Sequence, residues 1–237
     1  MEGTRRMHQE VSILTLLINS IFHVQIPDQV VMTSLVFVIS IVVFVLLRKS
    51  PELVPSPAQQ FYEGVLKAMD GMLMDNIGKR GHQFLPFVTA LGIFIFISNA
   101  IGLVPGFTPA TGNLNTTAAC AVAVFLYYNY HGFKEHGLGY LEQFIAPRGP
   151  LALRIPMSIL FIPIEIISHF ARPFSLAIRL FVNMVGDHIV LGVFLALVPF
   201  LLPVPLLGLG LFVCFIQTLV FVLLTIIYLS GAVAESH

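Results

Sequence analysis

Charged residues are scarce in this sequence. Only 10% of its 237 residues are Asp, Glu, Lys or Arg, and 57% are hydrophobic, whereas an ordinary soluble domain has about 25% charged residues. Several apolar runs reach or exceed about 18 residues, which is the length that crosses a bilayer as a helix. Alternating strand patterns of the barrel type are absent. The composition therefore excludes an ordinary soluble domain and predicts an all-α, polytopic membrane protein.

Other absences narrow the possible functions. The formal net charge is zero, which gives no support to a nucleic-acid partner. The two cysteines, Cys120 and Cys214, lie in separate apolar runs, so we expect packing roles and neither a disulfide framework nor a metal site. The sequence has no His-Glu-x-x-His, Gly-x-Ser-x-Gly or phosphate-binding Gly-rich motif. We therefore expect no cofactor, no metal and no bound nucleotide.

The first two-thirds of the chain predict three membrane spans. We treat residues 1–237 as a single membrane domain that starts with an external segment, 1–29. The apolar stretch at residues 11–22 is too short to span a bilayer, and we expect no cleavable signal peptide here. The spans lie within residues 30–155, at about 30–47, 84–104 and 116–130. Residues 58–77 mix charged and apolar side chains in the manner of an amphipathic helix on the membrane surface.

The last third predicts a hairpin of two long helices over residues 156–237. Its apolar stretches cover residues 156–198 and 204–233 and are separated by prolines. As helices they would be about 65 Å and 45 Å long, whereas a bilayer core is about 30 Å thick. The first stretch either breaks near Gly186 or lies steeply tilted with its partner. Because no basic loop or turn cluster interrupts it, we favour the tilted hairpin, which brings the total to about five membrane-embedded helices.

Lysine and arginine positions predict the orientation. The segments 48–83 and 131–154 contain several basic residues each, whereas the segment 105–115 contains none. By the positive-inside rule the first two are cytoplasmic and the third is external. The N-terminus is then external and the C-terminus cytoplasmic, and we expect a bacterial inner membrane protein.

Polar residues recur along one face of the first hairpin helix at spacings of three and four. This polar track consists of Glu165, Ser168, Arg172, Ser175, Arg179 and Asn183. At about 100° per residue the track falls within roughly 80° of arc, and His169 and Asp187 widen it to roughly 120°. His188 points to the opposite side. Arg179 stands alone in an apolar window, and a central membrane arginine costs about 2.5–3.5 kcal/mol even on forgiving scales.

Two interpretations of this track remain open on the residue pattern alone. In the first, the charges pair internally, Arg172 with Glu165 or Ser168 and Arg179 with Asp187. In the second, the track lines an ion pathway, as charged residues at membrane depth most often do. The role of Gln217 in the last helix is open in the same way. A lone glutamine in an apolar helix either forms a hydrogen bond between helices or belongs to the site beside Arg179.

The motif PIEIISHFARPFSLAIRLFVNM at residues 163–184 closely resembles the signature of subunit a of the rotary F-type ATP synthase. The similarity continues through Gly186-Asp187-His188 and through IQTLVFVLLTIIYLS at residues 216–230. Upstream, Asn113-Leu114-Asn115-Thr116-Thr117 resembles the family's external loop where it enters a helix.

This resemblance implies a non-catalytic stator subunit that conducts protons through two offset half-channels. Its implied partners are a ring of c-type hairpin subunits, each with a membrane carboxylate, together with peripheral-stalk b-type subunits and the lipid bilayer. Arg179 matches the essential arginine. The resemblance links the remaining candidates to the proton pathway: Glu165, Ser168, His169, Ser175, Asn183, Asp187, His188, Gln217 and Asn115.

Three departures from the family pattern affect these expectations. Val182 stands where many members have glycine, Asn113 where many have an acid, and Asp187 where a small residue is usual. We therefore expect Asp187 to supply the missing external carboxylate. Two alternatives are a stand-alone ion-coupled secondary transporter, which predicts inverted repeats that we do not see, and a purely structural scaffold, in which Arg179 would be replaceable.

Overall fold

The structure is a computed structural model that describes residues 12–22, 27–47, 57–104, 106–137, 139–140, 151–197 and 203–233. All regular secondary structure within these ranges is helical, which confirms the predicted all-α class. Arg48, Lys49 and Arg148 lie outside these ranges. Of the three prolines predicted to form the bend between the last two helices, Pro199 also lies outside them, whereas Pro203 and Pro205 belong to the first turn of the last helix.

The described residues form seven α-helices and two short 3-10 segments. The α-helices are α1 (Ile13–Phe22), α2 (Asp28–Leu47), α3 (Pro57–Ile77), α4 (Leu85–Ile101), α5 (Leu114–His136), α6 (Leu151–Leu197) and α7 (Pro203–Val233). The 3-10 segments, Lys79–Phe84 and Ala110–Gly112, precede α4 and α5.

Four helices are long and apolar enough to cross a membrane: α2, α4 with its preceding 3-10 segment, α6 and α7. The remaining predicted span, α5, has 23 residues, but its second half is more polar because it contains Tyr127, Tyr128 and Asn129. This helix packs against α6 and α7, and Tyr128 is fully buried. Its polar groups are thus placed between helices, where they have protein neighbours.

Two helix boundaries differ from the sequence prediction. Asn113 caps α5 by accepting a hydrogen bond from the backbone N–H of Asn115 at 2.8 Å, and the helix continues to His136, six residues beyond its predicted end. It stops at Gly137, whose φ of 54° favours glycine. Helix α6 begins at Leu151, before the predicted residue 156, and runs through three prolines, which membrane helices tolerate.

The long helix α6 is unbroken at Gly186, as the hairpin prediction requires. Its 47 residues correspond to about 70 Å, and the 31 residues of α7 to about 45 Å. Both exceed the bilayer core of about 30 Å, so the steep tilt remains the prediction that fits these lengths.

The core lies where α4, α5 and α7 meet, with α3 and α6 packed around it. Its large buried side chains include Phe84, Tyr128, Phe221, Ile226 and Leu229. The amphipathic helix α3 contributes Leu73, which is fully buried, and is confirmed as a helix, whereas its position relative to the membrane surface stays a prediction.

Polar contacts at the two ends of the bundle show which segments lie together at each end. At one end, Arg80 pairs with Glu135 at 2.8 Å, and the Ser230 hydroxyl donates to the carbonyl of Asn76 at 2.6 Å. At the other end, Asp28 accepts a hydrogen bond from Thr108. Described residues of the two segments rich in basic residues, Arg80 and Glu135, thus meet at one end of the bundle, and Thr108, in the loop after α4, lies at the other.

Candidate functional site

The polar track of α6 lies beside the face that packs into the bundle. Leu176, Leu180 and Met184 are buried on that packed face. Within the track, Glu165 and Arg172 are half-buried, whereas the other four residues are exposed in the isolated chain: Ser168, Ser175, Arg179 and Asn183. The track therefore runs from the edge of the α6–α7 contact onto an open side of the molecule.

Arg172 is satisfied inside the chain. Its Nη2 atom lies 3.7 Å from Oε1 of Glu165, and its guanidinium lies over the ring of Tyr228 on α7, 5.7 Å from the centroid. A carboxylate and an aromatic face both stabilise a guanidinium. The sequence interpretation in which Arg172 pairs with Glu165 is confirmed.

Arg179 has a different environment on the same helix. Arg179 is exposed, and it forms no salt bridge or hydrogen bond with another described residue. The pairing with Asp187 that the sequence left open is not formed. An arginine cannot lose its charge by releasing its proton, so this position presents a fixed positive charge at the open surface of a membrane helix.

Asn183 and Gln217 connect the two hairpin helices one turn beyond Arg179. The Asn183 Nδ2 atom donates to Oε1 of Gln217 at 2.7 Å, and Gln217 is buried with 6% exposure. This contact places Gln217 next to the polar track. It confirms the interhelical hydrogen-bonding role for Gln217, whereas its participation in the site beside Arg179 stays a prediction.

Asp187 and His188 line a small cavity between α6, α7 and the turn that follows α4. The cavity has a volume of about 30 Å³, and its other lining residues include Gly102, Leu103, Met184 and Gly210. The Asp187 Oδ2 and His188 Nε2 atoms are buried there without a hydrogen-bond partner among the described residues. The lining is otherwise mostly apolar, and a cavity of this size has room for about two water molecules beside these two polar side chains.

Gly210 keeps this cavity open. A Cβ atom at this position would lie 2.6 Å from Cδ2 of Leu103 and 3.3 Å from Oδ2 of Asp187. Any larger residue would therefore press on the carboxylate of Asp187 or displace the leucine. Asp187, which departs from the family pattern, therefore lies opposite a glycine that leaves room for its carboxylate.

Two of the predicted site residues lie apart from this group. His169 is buried with 5% exposure, and its Nε2 atom contacts Oδ1 of Asn129 on α5 at 3.0 Å. Asn115 is exposed in the first turn of α5 and does not line the Asp187 cavity. Their predicted places in a proton pathway stay predictions.

Two polar residues at structural junctions were not singled out from the sequence. Asn129 binds His169, and Asp28 accepts hydrogen bonds from the backbone of Ser12 and the hydroxyls of Thr15 and Thr108. Asn129 carries the same signal as Gln217, an amide within an apolar helix. Asp28 stands at the first position of a span and gives no such signal, because acidic residues at helix N-termini are common.

Fold and site together define a polytopic all-α membrane protein with a fixed positive charge on the open face of a long helix. Comparison with known proteins identifies its family. Residues 30–230 match the protein family described as ATP synthase A chain, and the chain belongs to this family. It is thus a membrane component of the proton-translocating part of an ATP synthase.

Individual relatives are similar to this chain along most of its length. ATP synthase subunit a of Sulfurihydrogenibium sp. is 38% identical over 210 residues, which are 89% of this chain and 99% of the relative. The subunit a of Geobacter sulfurreducens is 43% identical over 89% of both chains. ATP synthase subunit a 2 of Syntrophotalea carbinolica is 47% identical over 86% of this chain and 85% of its own.

Proposed function

We propose that this chain is the stator that passes protons to and from a rotor ring of hairpin subunits through two offset half-channels, with Arg179 between them. The observation that carries this proposal is the position of Arg179, a permanent cation that is exposed on a helix long and apolar enough to span a membrane and has no partner among the described residues. A desolvated charge of this kind is stable only beside an opposite charge. The open face of α6 therefore suits a partner that brings a carboxylate.

The chemistry of Arg179 follows from electrostatics. A nearby cation favours the ionised form of a carboxylate, so a protonated ring carboxylate that reaches Arg179 releases its proton. It takes up another proton only after it has moved past the arginine. The fixed charge thereby prevents a direct leak between the two half-channels.

The external half-channel in this proposal contains Asp187 and His188. Both line the cavity between α6, α7 and the turn after α4, and their buried polar atoms suit bound water that relays a proton. Asn183, which donates a hydrogen bond to Gln217, lies between this cavity and Arg179 along α6.

The half-channel on the other side of Arg179 contains the first part of the track. Ser168 and Ser175 are exposed along the same face, and Glu165 is half-buried beside Arg172. Hydroxyl and carboxylate oxygens at helical spacing give water and protons a series of acceptors. Protons leave by this route during synthesis.

The proposed orientation places the end of the bundle with Arg80, Glu135 and Ser230 in the cytoplasm. Lys79, Arg80 and Lys134 belong to this end, and the positive-inside rule favours a cytoplasmic position for them. The C-terminus of α7 is then cytoplasmic and the N-terminus external. Peripheral-stalk subunits complete the stator, and ATP itself is made by other subunits of the complex.

The test is the substitution Arg179→Ala in the whole complex, with Arg80→Ala as a matched control. Arg80 is an exposed arginine in a surface salt bridge, which contributes little to stability. We expect Arg179→Ala to abolish proton-driven ATP synthesis in membranes that contain the assembled complex, and Arg80→Ala to retain it. Normal synthesis by the assembled Arg179→Ala complex would refute the proposal.

A further inference from the structure

A partly buried hydrogen-bond network connects α5, α6 and the segment after α5 outside the polar track. The Asn129 Oδ1 atom contacts Nε2 of His169 at 3.0 Å and accepts a hydrogen bond from the Tyr140 hydroxyl at 3.2 Å. The Asn129 Nδ2 atom donates to the carbonyl of Phe125 at 2.7 Å. Both ends of the amide are therefore engaged, and its orientation is fixed.

The fixed amide determines what His169 can do at this contact. An amide oxygen has only lone pairs to offer, so Nε2 of His169 must carry the hydrogen and donate it. An amide oxygen is also a very weak base and does not take that proton over. At Nε2 the imidazole is thus held as a hydrogen-bond donor, and no proton passes to α5.

The surroundings of the network are closely packed. His169 and Tyr140 are 5% and 3% exposed, and the His169 ring contacts Phe125 and Tyr128 at centroid distances of 5.2 Å and 5.5 Å. Tyr140 lies directly on Gly132, where a Cβ atom would be 2.4 Å from its Cε2 atom. A glycine on α5 therefore lets the tyrosine reach Asn129.

The position of His169 on α6 relates the network to the polar track. Glu165 lies four residues before it and Arg172 three residues after it, so all three share adjacent turns of the helix. His169 faces α5, whereas Arg172 reaches Tyr228 on α7. Rotation of α6 about its axis would break the contact with Asn129 and turn the charged pair away from α7 at the same time.

We propose that Asn129 is a positioning residue that fixes the rotation of α6 through His169, and that Tyr140 ties the segment after α5 to the same amide. His169 then orients the track and passes no proton to α5 through Nε2. This inference rests on the proposed function only in taking the track as a proton route. It assigns roles to Asn129 and Tyr140 that the charge pattern of the sequence does not reveal.

The first experiment measures ATP-driven proton pumping against pH in inverted vesicles that contain the whole complex. His169→Gln keeps an N–H donor but cannot titrate, so we expect at least half of the pumping and an unchanged pH profile. His169→Leu and Asn129→Leu each remove one partner of a buried hydrogen bond, and we expect about fivefold slower pumping. A His169→Gln complex that does not pump or has a shifted pH profile would overturn the proposal, as would full pumping by Asn129→Leu.

The second experiment measures the rotation of α6 directly and covers the case in which Asn129→Leu fails to assemble. Single cysteines at Ser168, which is exposed, and Ala177, which is 6% exposed, report on two faces of the helix. His169→Leu and His169→Phe each remove the hydrogen bond from α6 to Asn129, and we expect both to lower labelling at position 168 and raise labelling at position 177. Gly71→Ala, which meets no atom within 4 Å, should leave the labelling at both positions unchanged.

Unchanged labelling in both His169→Leu and His169→Phe would refute the positioning role. Failure of the proposed function is distinguished by Arg179→Ala in the same vesicles. If that complex pumps normally, the proton route is wrong, and the labelling result still reports whether the network fixes α6.

Discussion

Arg172 and Arg179 lie two helical turns apart on the same face of α6, yet their surroundings differ. Arg172 has a carboxylate partner, Glu165, and the aromatic ring of Tyr228. Arg179 is exposed and has neither kind of partner within the described part of the chain. Residue type and apolar sequence context are nearly the same, so the difference comes from the neighbours. Arg172 interacts within the chain, whereas Arg179 is available to interact with another subunit.

The largest expected effect comes from neutralising each arginine in turn. We expect Arg179→Gln to reduce ATP-driven proton pumping by at least about 100-fold, because a charge aimed at the reacting group contributes that much. Arg172→Gln should keep a substantial part of the activity, since it removes a partly exposed internal pair. Quinacrine-type fluorescence quenching in inverted vesicles measures both rates, and equal losses would remove the distinction between the two arginines.

The next effect concerns the carboxylate in the outer cavity. We expect Asp187→Asn to slow pumping about tenfold, because it removes a proton-carrying group from the external half-channel. Its control, Asp75→Asn, changes an exposed carboxylate on α3 and should have no effect. Full pumping rates by Asp187→Asn across the whole pH range would exclude Asp187 from the pathway.

A smaller effect is expected from the amide pair beside Arg179. Asn183→Leu and Gln217→Leu each break the 2.7 Å hydrogen bond between α6 and α7. Interhelical hydrogen bonds in membranes contribute about 0.6 kcal/mol on average, so each single variant should lose activity by a few-fold at most. The double variant should lose less than the sum of the two, because both remove the same contact. Strictly additive losses would show that the pair acts as two independent residues.

The smallest effect should come from the glycine opposite Asp187. Gly210→Ala introduces a methyl group 2.6 Å from a leucine side chain that can partly move aside, and we expect pumping to fall about twofold. Gly208→Ala on the same helix meets no atom within 4 Å and serves as the control. Faster pumping by Gly210→Ala would contradict the role of this cavity.

The sequence predicted the long features well because each depends on local pattern. The lengths of the apolar runs predicted helices α2, α4, α6 and α7. Because no turn or basic loop interrupts the sequence near Gly186, the favoured prediction was that α6 is unbroken, as it is. Helical spacing placed Glu165, Arg172 and Arg179 on one face. These inferences need only the geometry of a single helix.

Contacts between helices could not be predicted from the spacing of residues along one helix. Spacing along one helix shows that Asn183 and Gln217 are polar, but the register between α6 and α7 decides that they bind each other. The same holds for His169, whose position at the edge of the track suited a proton route, whereas packing turns it toward Asn129. The end of α5 was missed because its last residues are too polar to be read as part of a span.

The most direct test of the central claim is disulfide cross-linking between α6 and the ring helix that carries the membrane carboxylate. A cysteine beside that carboxylate is combined either with Ser175→Cys, on the exposed polar track, or with Phe170→Cys, which is 62% exposed on a different face. The account predicts an oxidised product with Ser175→Cys and little with Phe170→Cys. Equal cross-linking from both positions, or a product with Phe170→Cys alone, would contradict the claim that the face with Arg179 meets the ring.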